Sequence, residues 1–141
     1  MKPVMEKYLT KIQPYVSLNM KLTECTDTSA SMSIHLDRNR NDKNSMFAGS
    51  IYSAMVLCGS TLARYICDKR ADDYDVVIKE STNVFVKPVH SDCVARASLI
   101  ARPVRKKNND LSMNINIELL DENSRKCAEL SGTYIGIIKN T

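Results

Sequence analysis

The sequence predicts an α+β fold, in which one long central helix is wrapped by a curved antiparallel sheet of about six strands. Three observations carry this. Residues 44 to 63 hold no charged side chain, in a protein that is 26% charged, so a helix there is apolar nearly all round and must be covered on most sides. Small residues run along it (Ala48, Gly49, Ser50, Ser53, Ala54, Gly59, Ser60, Ala63) and let other backbones close in. The segments on either side alternate apolar and polar residues with the period of strands.

The elements follow in order. Val4, Met5, Tyr8, Leu9 and Ile12 recur at helical spacing, giving a short helix over residues 3–13 that Pro14 ends. Leu18, Met20 and Leu22 alternate with polar residues as a half-buried strand. Ala30, Met32, Ile34 and Leu36 form its hairpin partner after a turn at Thr26–Thr28. A loop of charges and asparagines, Asp37–Ser45, leads into the central helix, which ends near Cys67. Residues 76–89 are a long extended run, and residues 93–103 a second, with Ala95, Ala97, Leu99 and Ala101 on one face. A basic turn at Arg105–Asp110 precedes the clearest strand, where Met113, Ile115, Ile117 and Leu119 alternate with Ser112, Asn114, Asn116 and Glu118. A turn at Asp121–Ser124 leads to the last strand, Ala128–Ile138.

The 141 residues suit a single domain, residues 1–141, and an apolar fraction of 43% supplies its core. Five scattered cysteines, without CxxC pairs or histidines in metal-ligand spacing, read as free thiols in a reducing compartment. No metal or bound cofactor is expected. The first residues lack an apolar signal-peptide core, and serines, Thr61 and two glycines interrupt the long apolar run, so neither a leader nor a membrane span is expected. Both points favour the cytoplasm. A net charge of +4 falls short of the basic face of a nucleic-acid binder, and no aromatic residues cluster with the arginines. A lone, mostly uncharged helix needs cover on its far side, which favours a homo-oligomer.

The element order, the loop entering the helix at MFAGSIYSAMVLCG and the later VFVKPVHSDCVARASL resemble the hotdog-fold thioesterases. Within them, the chain resembles the thioesterase domain that some bacteria fuse to an N-acetyltransferase. There the loop reads Asn-x-x-x-Thr-x-Phe-Gly-Gly-Ser-Leu-Tyr-Ser. Asn41, Ser45, Phe47, Ala48, Gly49, Ser50, Ile51, Tyr52 and Ser53 fit this pattern, with Ser45 for Thr, Ala48 for the first Gly and Ile51 for Leu. The resemblance implies an acyl-CoA or acyl-carrier-protein substrate, a homodimer or dimer of dimers built by edge-strand pairing, and a carbonyl polarised by the N–H of Ala48 or Gly49. Many hotdog thioesterases carry His-Gly-Gly where this chain has Phe47, Ala48 and Gly49, and an acid where it has Val56. The common carboxylate mechanism therefore does not transfer.

Thioester cleavage needs an acyl pocket, a polarised carbonyl and a positioned water. Phe47, Ala48, Ser50, Ser53 and Val56 are the expected substrate contacts on the helix, and Met55, Val56, Ile78 and Val84 line either a pocket or plain core. The first backbone N–H groups of a helix lack intrahelical partners and carry the positive end of its dipole, and Gly49 either admits a substrate to them or permits tight packing. Asn41, Asn44 and Ser45 either orient water or shape the entry, Asn44 and Ser45 as helix caps. Asn83, among Val84, Phe85 and Val86, would need partners if buried, and Glu80 would be a base only if it faced inward. Arg38, Arg40 and Lys43, and the turn containing Arg102, Arg105, Lys106 and Lys107, either hold carrier phosphates or stay solvated. Neither His35 nor His90 has a neighbour pattern that specifies a triad.

Overall fold

The structure is a computed structural model that describes residues 2–139. Two helices precede the sheet where the sequence predicts one. Helix α1 (Lys2–Leu9) buries Met5 and Leu9, and α2 (Gln13–Ser17) carries Pro14 in its first turn. Proline lacks an N–H that such a position leaves unpaired anyway, so Pro14 starts a helix instead of only ending one. Leu18, expected in the first strand, follows α2 as its C-cap. The buried Tyr15 accepts the Leu22 N–H on its phenol oxygen at 2.9 Å, which fastens α2 to the sheet.

The sheet contains β1 (Met20–Cys25), β2 (Ser29–Ile34), β3 (Tyr74–Phe85), β4 (Cys93–Leu99), β5 (Val104–Arg105), β6 (Leu111–Leu120) and β7 (Lys126–Ile138). It is antiparallel throughout, in the order β1-β2-β4-β6-β7-β3, with β5 beside β6. The seventh strand is β5, two residues at the border of the expected basic turn that pair Val104 with Ser112 and Arg105 with Leu111. The long helix α3 (Ala48–Asp68) lies against the inner face.

The core sits between α3 and that face. Met32, Ile34, Ala95, Ala97, Met113, Ile115, Ile117, Leu119 and Leu130 are buried from the sheet side, and Met55, Cys58, Leu62 and Ala63 from the helix side. The strict alternation of β6 produces this directly, because a strand presents successive side chains to opposite faces. Burying each large apolar side chain contributes about 1.5–3 kcal/mol. Among the described residues no helix is long and apolar enough to cross a membrane.

The edge strand β3 positions the site. Its pairing with β7 shifts at a bulge between Ile78 and Glu80. Ahead of the bulge, Tyr74, Val76 and Ile78 share the inner face. Beyond it Ser81, Asn83 and Phe85 do, paired with Gly132, Leu130 and Ala128, all buried. Glu80, Thr82 and Val84 pair with Thr133, Ser131 and Glu129 on the outer face. A bulge inserts one extra residue and exchanges the faces beyond it.

Candidate active site

Helix α3 begins without a side-chain cap. Its N-cap is Phe47, at φ −61° and ψ 133°, not Asn44 or Ser45, and no side chain bonds the first turn. Ser50 and Ile51 donate to the Phe47 carbonyl at 3.0 and 3.1 Å. The N–H groups of Ala48 and Gly49 donate to nothing among the described residues. They are adjacent donors at the positive end of a 21-residue helix.

The loop before the helix is built to hold this end in place. Asn39 is buried, and its side-chain amide donates to the carbonyls of Leu18 and His35, each at 2.8 Å. The main-chain carbonyl of Asn39 accepts the Phe47 N–H at 2.7 Å, and that of Val89 accepts the Met46 N–H at 2.8 Å. Asn41 Oδ1 accepts the Lys43 and Ser45 N–H groups while its Nδ2 donates to Ser45 Oγ at 2.9 Å. Asn44 takes the left-handed conformation, φ 62°, that asparagine tolerates. The Phe47 ring folds over Gly49, where a Cβ would lie 3.0 Å from its Cδ2 and closer still to Cε2.

One stripe of α3 stays open beside β3. Ala48 and Tyr52 are exposed, and Gly49, Ser53, Val56 and Ser60 are half-buried. Tyr52 Oη lies 3.3 Å from Ser81 Oγ and bridges the stripe to the inner face of the edge strand. Asn83 shares that face, and its Oδ1 is buried with no hydrogen-bond partner. A lone buried acceptor is costly to keep, so an acceptor here at the edge of the groove invites a donor from water or substrate. A concavity of about 490 Å³ lies elsewhere, on the outer sheet face between Glu80, Ile100, Asn114 and Thr133. The inner groove is not enclosed by the single chain because β3 has no neighbour beyond it.

Residues 4–138 match the family described as "Putative thioesterase (yiiD_Cterm)". The chain belongs to this thioesterase family. Its fold is the hotdog, shared with a Shewanella oneidensis protein described as "the putative thioesterase" (TM-score 0.85, 21% identity, 96% of this chain and 95% of that one). The Haemophilus influenzae thioesterase HI1161 (TM-score 0.79, 16% identity, 95% and 90%) and the Escherichia coli PaaI protein (0.78, 13%, 96% and 93%) share it too. A comparison with curated proteins returned no match.

In this thioesterase the structure gathers some of the expected residues and separates others. Phe47, Ala48, Gly49, Ser53 and Val56 lie at the start and along the open stripe of α3, and Asn83 is on the inner face of β3. Ser50 is buried in the core, as is Met55, while Ile78 is half-buried on the inner face. Val84 points to the outer face and is 54% exposed, so it lines no inner pocket. Asn41, Asn44 and Ser45 shape the loop instead of lining the groove. Arg105 and Lys106 stand at the other end of α3, where Arg105 meets Asp72 at 3.5 Å. At 1.5 Å per residue that end is about 30 Å away. Sequence reasoning passed over Tyr52, Ser81 and Asn39 as site residues. Tyr52 was within reach of it, because it follows Ala48 by one helical turn and so shares its face.

The other reactive side chains lie outside the groove's chemistry. All five cysteines are free, and burial pushes the Cys58 and Cys93 thiols up to about 12 and those of Cys25 and Cys67 to about 11. None of these four is a thiolate nucleophile at neutral pH. His35 Nδ1 sits 3.1 Å from Asp92 Oδ2 on the surface. The Leu36 N–H, bonded to the other carboxylate oxygen, and His35 together hold the Asp92 carboxyl below its ordinary range.

Proposed function

We propose that the chain hydrolyses an acyl-CoA or acyl-carrier-protein thioester at the start of α3. The observation that carries this reading is the pair of partnerless N–H groups at Ala48 and Gly49. Water adds to the thioester carbon, and the resulting oxyanion takes the two hydrogen bonds. The water releases one proton to solvent as it adds, and the carbonyl re-forms as the thiolate leaves and takes up a proton from solvent. A single such donor is worth about 3 kcal/mol of transition-state stabilisation in studied acyl-transfer sites. Asn83 Oδ1 accepts from the attacking water and aims it, since an amide orients water without taking its proton. The acyl chain runs along the Ser53 and Val56 side of the helix.

The groove is completed by a second copy. Edge strand β3 exposes Val77, Val84 and Phe85, followed by Val86, and an unpaired apolar edge is a template for another strand. Edge-to-edge pairing covers Phe85 and closes the groove, giving a homodimer. Hydrolysis assays over a panel of acyl-CoA and acyl-carrier-protein chain lengths test the reading, with sedimentation to give the mass in solution. Turnover by a dimer supports it. Tight binding of a nonhydrolysable acyl-CoA without turnover of any thioester replaces it with an acyl-binding module, the reading that Val56 in the acid's place favours.

A further inference from the structure

We infer that Arg64 bars the seam between α3 and β3 and so sets an upper limit on the acyl chain, making the substrate a medium-length apolar acyl group and excluding long ones. This rests on the thioesterase reading above and adds the class of acyl group to it.

The seam has a direction. Tyr52 meets Ser81 late in β3, whereas Arg64 meets Tyr74 at the start of that strand, so helix and strand run in opposite senses. Three levels follow one another along it. At the thioester end the lining is polar, with Tyr52 and Ser53 on the helix and Ser81 and Asn83 on the strand. In the middle it turns apolar. Tyr134 plugs into the helix there, donating to the Val56 carbonyl at 2.9 Å beside the Ser60 hydroxyl, and its strand neighbour is Ile78. Val56, Ile78 and Val76 pack against the core yet are only half-buried, so each keeps apolar surface uncovered. An acyl chain covers that surface, and each methylene it buries is worth roughly fourfold in binding.

Arg64 ends this stretch. It continues the stripe of Val56 and Ser60 one helical turn further on. Its guanidinium crosses the seam, where Nη1 donates to the Tyr74 carbonyl at 2.7 Å. Nε and Nη2 are held by Asp68 Oδ1 at 2.9 and 2.8 Å. The side chain is only 14% exposed, and on the α1 side Tyr8 lies within reach of both charges. A methylene pushed to this level meets a fixed, partly desolvated charge, and displacing it strips the Tyr74 carbonyl and Asp68 of their donor. From Gly49 to Ser60 the helix rises about 16 Å. That length of seam holds an extended medium chain and is too short for palmitoyl.

The test is hydrolysis of a saturated acyl series from acetyl to palmitoyl. Wild-type kcat/KM should climb to a medium chain, octanoyl to dodecanoyl, and fall about tenfold or more by palmitoyl. Arg64→Ala opens the bar and should raise the palmitoyl-to-octanoyl ratio about tenfold or more. Ser60→Leu fills the seam ahead of the bar and should move the optimum to shorter chains. The wild-type profile and Ser60→Leu decide the matter if Arg64→Ala does not fold. Three results overturn the inference and leave the thioesterase standing: a wild-type profile that rises all the way to palmitoyl, an Arg64→Ala protein whose turnover falls equally at every length, or an unmoved optimum in Ser60→Leu. Failure of the wild type to cleave any member of the series, on CoA or on acyl-carrier protein, removes the underlying reading, and this inference with it.

Discussion

The Tyr134 hydroxyl donates to the Val56 carbonyl at 2.9 Å, across the place where Gly59 has no side chain. Strand β7 and helix α3 meet there at the midpoint of the helix. A Cβ on Gly59 would fall 2.5 Å from Tyr134 Cζ and closer still to its oxygen. Tyr134 is fully buried, and burial holds its phenol far above its ordinary pKa, so it stays a donor at every working pH.

Gly59→Ala should therefore destabilise the protein, although alanine is the better helix former by about 1 kcal/mol. Forcing a methyl group into a packed contact costs about 1–3 kcal/mol. Tyr134→Phe should cost about 1 kcal/mol by deleting the hydrogen bond. Because the two residues touch, the double variant should be less destabilised than the sum of the singles. Urea denaturation midpoints of the four proteins check this.

A second prediction concerns the loop that presents the helix start. Asn39→Asp replaces an amide donor facing the carbonyls of Leu18 and His35 with an acceptor. Leaving such buried groups unpaired costs about 1–3 kcal/mol, more where a charge is involved. The variant should melt well below wild type, and acid that protonates the new carboxyl should narrow the gap. Thermal melts of both proteins at pH 4 and pH 7 compare the two states.

Stability and activity should part company at Asn83. Its Oδ1 is buried without a partner, an arrangement that costs the folded state. Asn83→Ala removes this polar atom and should leave the melting temperature unchanged or raised. Its kcat should fall about tenfold or more, the equivalent of losing one positioning hydrogen bond of about 1–2 kcal/mol. A fall in stability alongside intact kcat would make Asn83 a packing residue.

The central helix was legible in the sequence because burial on most sides leaves a plain mark, the twenty-residue absence of charge between Asn44 and Ala63. Strand β6 was legible through its alternation, which survives into the burial pattern residue for residue. Strand β3 was legible as an extended run but not in which side chains face inward, for a physical reason. Alternation counted from Tyr74 puts Glu80 and Val84 inside, and the bulge after Ile78 reverses that, bringing Ser81 and Asn83 to the helix instead. Extra residues in a ladder leave no mark in a polar–apolar pattern.

The helix start shows a similar limit. Asn44 and Ser45 are the residue types that cap helices, yet Asn41 and the loop absorb Ser45, and the chain reaches Phe47 before the helix begins. Cap preference is local, whereas the entry point here is set by Asn39 and Val89 from other parts of the fold. Pro14 misled in the same way, since one residue type serves both ends of helices. Two residues sufficed to form β5, too few for any periodicity to register.

The proposed hydrolysis depends on the Ala48 and Gly49 amides, and Ala48→Pro reaches them most directly. Position 48 is the first residue of α3, where proline is well tolerated, and Phe47 already holds the extended conformation that a following proline requires. The substitution deletes one N–H and little else. Measured on the acyl thioester that the wild type cleaves best, kcat should drop about 100- to 1,000-fold with the melting temperature unchanged or higher. A folded Ala48→Pro protein that hydrolyses the thioester at the wild-type rate would contradict the account.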